Sequence, residues 1–317
     1  MSGLLRGTAF VTGAGSGIGR ATAVCLAQHG VSNLALGDVD TKRLEETKAD
    51  LVAQGLAVQV ILIELDVSNE DAVREAIEKT VAAFGRIDYA VNNAGVAGPM
   101  GRAENVAFAE WRRLLDVNLN GVWLCQRAEI QAMLKQDLRA IGSRRPYSPG
   151  ARGVIVNVAS ILGLMGASGT SPVTVYSAAK HAVMGLTKTV GLDHDSISFL
   201  LVPFPEAVSS RLVMRLPCTY DPSVLLGRTR LRERRDPNQR NLPRVIQTKT
   251  TLTPPFAISF IETPLLTPTL NDAARRELLR RIPADRLGAP EEIGNSIVYL
   301  MSYLSSFMYG HGLVVDG

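Results

Sequence analysis

Short apolar runs alternate along this chain with longer stretches in which apolar residues recur at helical spacing. Residues 9–11 (Ala-Phe-Val) are short enough for a buried strand, and the small and apolar residues 20–27 suit a helix packed on a sheet. Residues 33–37 predict a second strand, and residues 42–54 a helix that is polar outside and apolar at Leu44, Leu51 and Val52. Residues 58–65 and 87–91 predict the third and fourth strands. Residues 111–133 predict one long helix, residues 153–159 another strand, and residues 176–194 a second long helix. Beyond these, residues 272–281 predict a helix and residues 312–317 the final strand.

Between the first strand and helix lies Thr12-Gly13-Ala14-Gly15-Ser16-Gly17-Ile18-Gly19. Glycines in such a turn permit positive φ, let backbone approach a diphosphate and seat the helix close to its strand. The helix start then offers free N–H groups and a positive dipole end to phosphates. The spacing is Gly-x-x-x-Gly-x-Gly, with Ile18 where the commoner dinucleotide fingerprint has its third glycine. Asp38 ends the second strand about 20 positions on, placed to accept from the adenosine ribose hydroxyls. A carboxylate there repels a 2′-phosphate, so NAD is favoured, while Lys42 and Arg43 leave NADP open. Asp38 or Asp40 also suits the cap of the helix that follows, and Ser68 with Asp71 suits the start of the next.

Composition narrows the classes. Of 317 residues, 46% are apolar and 20% charged, ordinary for a globular enzyme. No run approaches the roughly 18 to 20 apolar residues of a membrane span, and no secretory signal opens the chain. Cys25, Cys125 and Cys218 are too few and scattered for a disulfide framework or a zinc site, so a cytoplasmic location is the expectation. The four histidines have no ligand spacing, and no metal is expected. The net charge of +4 is local: residues 196–259 hold nine Arg and one Lys against two Glu and two Asp, leaving the remainder net negative. That segment has only four aromatics for stacking, which argues against nucleic acid.

Tyr176-Ser177-Ala178-Ala179-Lys180 carries the strongest chemistry. Residues four apart share a helix face, and an ammonium beside a phenol stabilises the phenolate, bringing a pKa of about 10 closer to neutrality. A better-matched pKa makes proton transfer more effective. Ser160 arrives at the carboxyl end of its strand, where ligand chemistry lies in open α/β sheets.

Taken in order, Thr-Gly-x-x-x-Gly-x-Gly, Asn92-Asn93-Ala94-Gly95, Asn118 within Asp-Val-Asn-Leu-Asn-Gly, Ser160 and Tyr-x-x-x-Lys resemble the classical short-chain dehydrogenase/reductase family. The resemblance covers about residues 5–194 and 260–317 and implies a Rossmann-type α/β domain with a doubly wound parallel sheet. It implies NAD(P)-dependent interconversion of a secondary alcohol and a ketone on a small molecule. Tyr176 is then general acid or base, Lys180 lowers its pKa and holds the nicotinamide ribose, Ser160 bonds the substrate oxygen, and Asn118 holds a relay water. The cofactor lies against Gly13, Ser16, Gly17, Ile18, Gly19, Asp38, Asp66, Val67, Asn92, Ala94, Gly95, Tyr176, Lys180 and Thr263. Asp66 stands beside the adenine amino group, and Thr263 is the candidate for the nicotinamide amide. A homo-oligomer is expected where the fold closes.

Residues 195–259 depart from the family. They hold eight of the sixteen prolines and lack a sustained period, where a buried sixth strand is due. Phe199-Leu200-Leu201-Val202 offers a substitute strand, but Pro203 and Pro205 follow at once. The expectation is a single domain over residues 1–317 with an atypical insert at 195–259 that disrupts the sixth strand. An impaired enzyme, or a nucleotide-binding protein without activity, is the alternative.

Overall fold

The structure, a computed structural model, describes residues 3–98, 102–139, 150–164, 173–193, 196–202, 261–264, 272–280, 282, 284–306, 308 and 313–315. All of them fall within one compact unit, Met1–Arg211 with Ala257–Gly317. Six strands form its sheet: β1 Thr8–Thr12, β2 Asn33–Asp38, β3 Gln59–Glu64, β4 Tyr89–Asn92, β5 Gly153–Val158 and β6 Ile197–Val202. All pair in parallel in the order β3-β2-β1-β4-β5-β6, the doubly wound order that opens a crevice beyond the carboxyl ends of β1 and β4. The helices are α1 Gly17–Gln28, α2 Thr41–Ala53, α3 Glu70–Phe84, α4 Phe108–Leu115, α5 Val122–Met133, α6 Thr174–Asp193, α7 Asp272–Leu279 and α8 Pro290–Met301.

Strand residues divide between two cores by their alternation. Val11, Leu34, Leu36, Val91 and Val156 pack with α1, α2 and α8 on one face. Phe10, Ala35, Ala90 and Ile155 pack with α3 and α5 on the other. Helices on both faces explain why β1 and β5 are buried at every position.

Four expectations change. The sixth strand is present: Ile197–Val202 pairs with β5 from Gly153↔Ile197 to Val158↔Val202. Pro203 comes after the last paired residue, so its missing N–H costs the ladder nothing. The case for an impaired or inactive protein loses that premise, while residues 203–259 of the expected insert lie outside the described residues. The long helix expected at 111–133 begins at Phe108 and is interrupted by a π-helical segment, Asp116–Gly121. Asn69, not Ser68, caps α3, its side chain accepting from Ala72 N. Leu313, Val314 and Val315 lie in no strand, although Leu313 and Val315 pack on the α1–α8 core. Parts of the loops expected around 137–152 and 161–175 (140–149 and 165–172), and Cys218, His194 and His311, lie outside the described residues. Among the described residues, no helix is long and apolar enough to cross a membrane.

Candidate active site

The glycine turn is held from three sides. Asn93 Nδ2 donates to Thr12 O (3.1 Å) and Gly13 O (3.2 Å), and Thr12 Oγ1 accepts from the N–H groups of Asn93 and Ala94, both at 3.1 Å. From α2, Thr47 Oγ1 donates to Ala14 O (2.9 Å). Gly13 adopts φ +65° and Gly17 φ +50°, conformations that favour glycine. Gly19 serves packing, since a Cβ there would lie 2.0 Å from Gly13 O. Ser16 caps α1 without a side-chain hydrogen bond, and no acidic residue occupies the first turn. The helix start therefore faces outward with its positive dipole end uncompensated by its own side chains.

That helix start opens into a cleft of about 870 Å³ at the carboxyl ends of the strands. Of the residues expected to touch the cofactor, Gly13, Ser16, Gly17, Ile18, Asp38, Asp66, Val67, Ala94, Gly95, Tyr176, Lys180 and Thr263 line it. Asp38 accepts from Gly15 N (2.9 Å) and Asp40 N (3.0 Å), whereas Asp40 caps α2 by accepting from Arg43 N (3.1 Å). The two aspartates have thus separated their roles. Asp66 holds a turn, accepting from Ser68 N (2.9 Å) and Ser68 Oγ (2.7 Å), while its exposed carboxylate borders the cleft.

At the other end of the cleft, Tyr176 and Lys180 rise from α6, each 4% exposed. Lys180 Nζ lies 5.4 Å from the centre of the Tyr176 ring and donates to Val158 O at 2.9 Å. That bond anchors the ammonium to the end of β5.

Four expected residues do not line the cleft. Gly19 packs beneath the turn. Asn118 is fully buried and uses both ends of its amide on Val96, accepting from its N–H and donating to its carbonyl, each at 2.8 Å. This clamp holds the π-helical segment against the loop that leaves β4. Ser160 is fully buried too, its Oγ accepting from Leu162 N at 3.1 Å. Asn92 points to the α5 side of the sheet, donating to Glu129 Oε2 (3.0 Å) and Asn157 Oδ1 (2.9 Å).

The sequence reading missed Arg112, Arg113 and Asp116 on the cleft wall, since charges on a helix carry no signal of what they face. It also missed Glu129, whose carboxyl burial pushes up to about 8 against the opposing hydrogen bond from Asn92. A signal existed: Val122, Cys125, Gln126, Glu129 and Met133 occupy the buried stripe of α5, where two polar residues are out of place.

Known proteins share this sequence and fold. The family model described as short chain dehydrogenase matches residues 7–198, and that described as enoyl-(acyl carrier protein) reductase matches residues 257–317. The chain is 33% identical to the short-chain dehydrogenase fogB of Aspergillus ruber, over 99% of this chain and 96% of that protein. It is 30% identical to a cyclohexanol dehydrogenase of an Acinetobacter species, over 98% and 93%. The crystal structure of levodione reductase matches with a TM-score of 0.72 at 27% identity, over 98% of this chain and 96% of that one. With its doubly wound sheet, glycine turn and Tyr-x-x-x-Lys helix in one frame, the chain belongs to the classical short-chain dehydrogenase/reductase family, NAD(P)-dependent oxidoreductases that act on CH–OH groups.

Proposed function

We propose that this enzyme interconverts a ring secondary alcohol and its ketone, with Tyr176 as acid and base and with NAD preferred to NADP. The observation that carries the reading is that the glycine turn, Asp38 and the Tyr176–Lys180 pair border a single cleft. The uncapped start of α1 suits a diphosphate, and Asp38, with lone pairs beyond those given to Gly15 and Asp40, suits two ribose hydroxyls. Arg43 also borders the cleft but lies 3.3 Å from Asp40, which offsets its pull on a 2′-phosphate. When bound, the nicotinamide supplies the hydride acceptor or donor.

Tyr176 takes the alcohol proton at its phenolate oxygen in oxidation and returns it in reduction. Lys180, fixed by Val158 O, stabilises the phenolate through its positive charge. Ser160 keeps its one proton to donate to the substrate oxygen, because Leu162 N occupies a lone pair. Asn118 acts through Val96 and the π-helical segment, as a positioning residue. A ring substrate is suggested by the cyclohexanol dehydrogenase among the relatives.

The test follows NADH oxidation with a panel of cyclic and open-chain ketones. Tyr176→Phe is expected to lower kcat/KM roughly 10²–10⁴-fold while NADH binding, read by fluorescence, persists. Unchanged turnover in that variant removes Tyr176 from the mechanism.

A further inference from the structure

The buried stripe of α5 carries a polar group that the reaction as proposed does not use. Glu129 is fully buried, one turn from Cys125 and one turn from Met133, both in the apolar core under the sheet. Its Oε2 accepts from Asn92 Nδ2 at 3.0 Å. The same Asn92 amide donates to Asn157 Oδ1 at 2.9 Å, and Asn157 Nδ2 donates to Gln126 Oε1 and Thr187 Oγ1, both at 2.7 Å. Asn92 and Asn157 are register partners on β4 and β5. Four elements meet in this network, β4, β5, α5 and α6.

Among the described residues, two buried oxygens in it, Glu129 Oε1 and Asn92 Oδ1, find no hydrogen-bond donor. Buried polar atoms are nearly always paired, and an ionised carboxylate has only acceptors to offer. A single proton on Glu129 supplies the missing donor and removes a buried charge together. No cation competes for that charge: no ion pair to Glu129 occurs among the described residues. The titratable neighbours on the packed elements are few. Cys125 shares α5, Arg127 on α5 is paired with Glu70 of α3 at 2.9 Å, and Asp88 ahead of β4 is paired with Arg86 at 2.5 Å. On α6, Lys180 is bonded to Val158 O. The groups that face Glu129 from β4 and β5 are the neutral Asn92 and Asn157, and α6 adds the neutral Thr187 to the network.

We propose that Glu129 is a neutral carboxylic acid that donates to Asn92 Oδ1 and so locks the carboxyl ends of β4 and β5 in the register the reaction requires. Those ends matter because the chain enters the cleft directly from them. Asn92 is followed by Asn93, Ala94 and Gly95, and Asn157 by Val158, Ala159 and Ser160. Val158 O is the acceptor that fixes Lys180. Glu129 is therefore a positioning residue, two steps removed from substrate. Burial, which raises its pKa to about 8, supports the neutral form. The positioning role rests on the function proposed above, whereas the protonation state does not.

The experiment separates the two. In infrared difference spectra at neutral pH, wild type minus Glu129→Gln is expected to show a carboxylic-acid carbonyl stretch, and a carboxylate band in its place overturns the proposal. Melting midpoints of the same pair, followed from about pH 5 to about pH 9, give a second readout. A folded pKa above the unfolded one means the unfolded chain releases the proton first, so wild type loses stability relative to the Gln variant up to about pH 8 and the gap then levels. A gap independent of pH overturns the neutral assignment. For positioning, Glu129→Leu is expected to lower kcat roughly ten- to hundredfold with little change in the KM for cofactor, and Gln, which can both accept and donate, to restore it. Equal kcat in Leu and Gln variants overturns the positioning role. If no variant, wild type included, turns over any ketone, the function proposed above fails while the infrared and melting results still decide the state of Glu129.

Discussion

The sheet ends in two clefts of similar size, about 870 Å³ beyond the carboxyl ends of the strands and about 750 Å³ beyond the amino ends. Both are lined by charged residues, yet their physics differs. The first receives the start of α1, with positive-φ glycines and amides that Ser16 does not cap. The second is bordered by the last turns of α3 and α5, which present carbonyl ends and a negative dipole. Two of its cations are already engaged: Arg86 pairs with Asp88, and Arg74 with Asp71 and Glu78. Gln136 takes up both backbone groups of Ile87. Volume and charge are common to both ends, and what marks one of them as the proposed site is a helix start with uncapped amides on the same cleft as the Tyr176–Lys180 pair.

The largest expected effect compares one lysine from each end. Lys180→Met removes the charge beside Tyr176 and is expected to lower kcat/KM roughly 10²–10⁴-fold. Lys135→Met, in the other cleft, is expected to leave it unchanged. Equal losses in steady-state assays of the two variants would erase the distinction between the clefts.

Next comes a change at the amino ends that affects stability alone. Asp88 accepts from Thr8 N (2.9 Å) and from Arg86 Nε (2.5 Å), with side chains only 3% and 9% exposed. Asp88→Ala leaves a buried guanidinium unpaired, which costs about 3–5 kcal/mol. Urea unfolding should show that loss, and kcat per folded molecule should hold. A fall in kcat as large as that of Lys180→Met would mean the two ends are coupled.

Glycines sharpen the contrast further. At Gly13 a Cβ would lie 2.8 Å from Asn93 Nδ2 and 2.9 Å from Ala94 Cα, and φ is +65°. At Gly85, which ends α3 beside the second cleft, φ is +79° but none of the described residues comes within 4 Å of a Cβ there. Both alanine variants carry left-handed strain of about 1–2 kcal/mol. Only Gly13→Ala is expected to weaken NADH binding as well, which fluorescence titration measures directly.

This asymmetry also explains what could be read from the chain beforehand. Local patterns with a fixed spacing were legible: the glycine turn, Asp38, and Tyr176 with Lys180 all stand on the cleft. Each depends on a strand end or one helical turn. Asn92 and Ser160 were less so, because adjacency to a motif does not say which way a side chain turns. Asn93 faces the glycine turn, whereas Asn92, one position earlier on a strand, faces the opposite core. The sixth strand was misjudged because Pro203 reads as a breaker, although a proline placed just after the last ladder partner breaks nothing. Glu129 was invisible for another reason. A glutamate on a helix is ordinarily solvated, and only its place between Cys125 and Met133 on the buried face marks it as exceptional.

The smallest effect concerns an ion pair at the cleft end, set against the buried Arg86–Asp88 pair. Thr263 reaches the cleft through Ile261, which bridges Gly288, and the turn holding Gly288 is closed by Arg286 gripping Glu292 through two bonds of 2.7 Å. Glu292 also accepts from Ala289 N at 2.8 Å. The Arg286 hydrogen bonds, helped by Ala289 N, hold the Glu292 carboxyl down at about 2. A depressed folded pKa stabilises above the unfolded value, about 4.3, and that contribution is lost as pH falls towards 2. Both side chains are more than two-fifths exposed, so solvent screens most of the attraction. Glu292→Gln, which can still accept from Ala289 N, is therefore expected to melt no more than about 3 °C below wild type at neutral pH. The difference should shrink below about pH 4 and again at high salt, since an exposed pair is screened where a buried one is not. A gap that survives both conditions would show that the charge of Glu292 acts as if buried, and the two ends of the sheet would then hold their ion pairs by the same means.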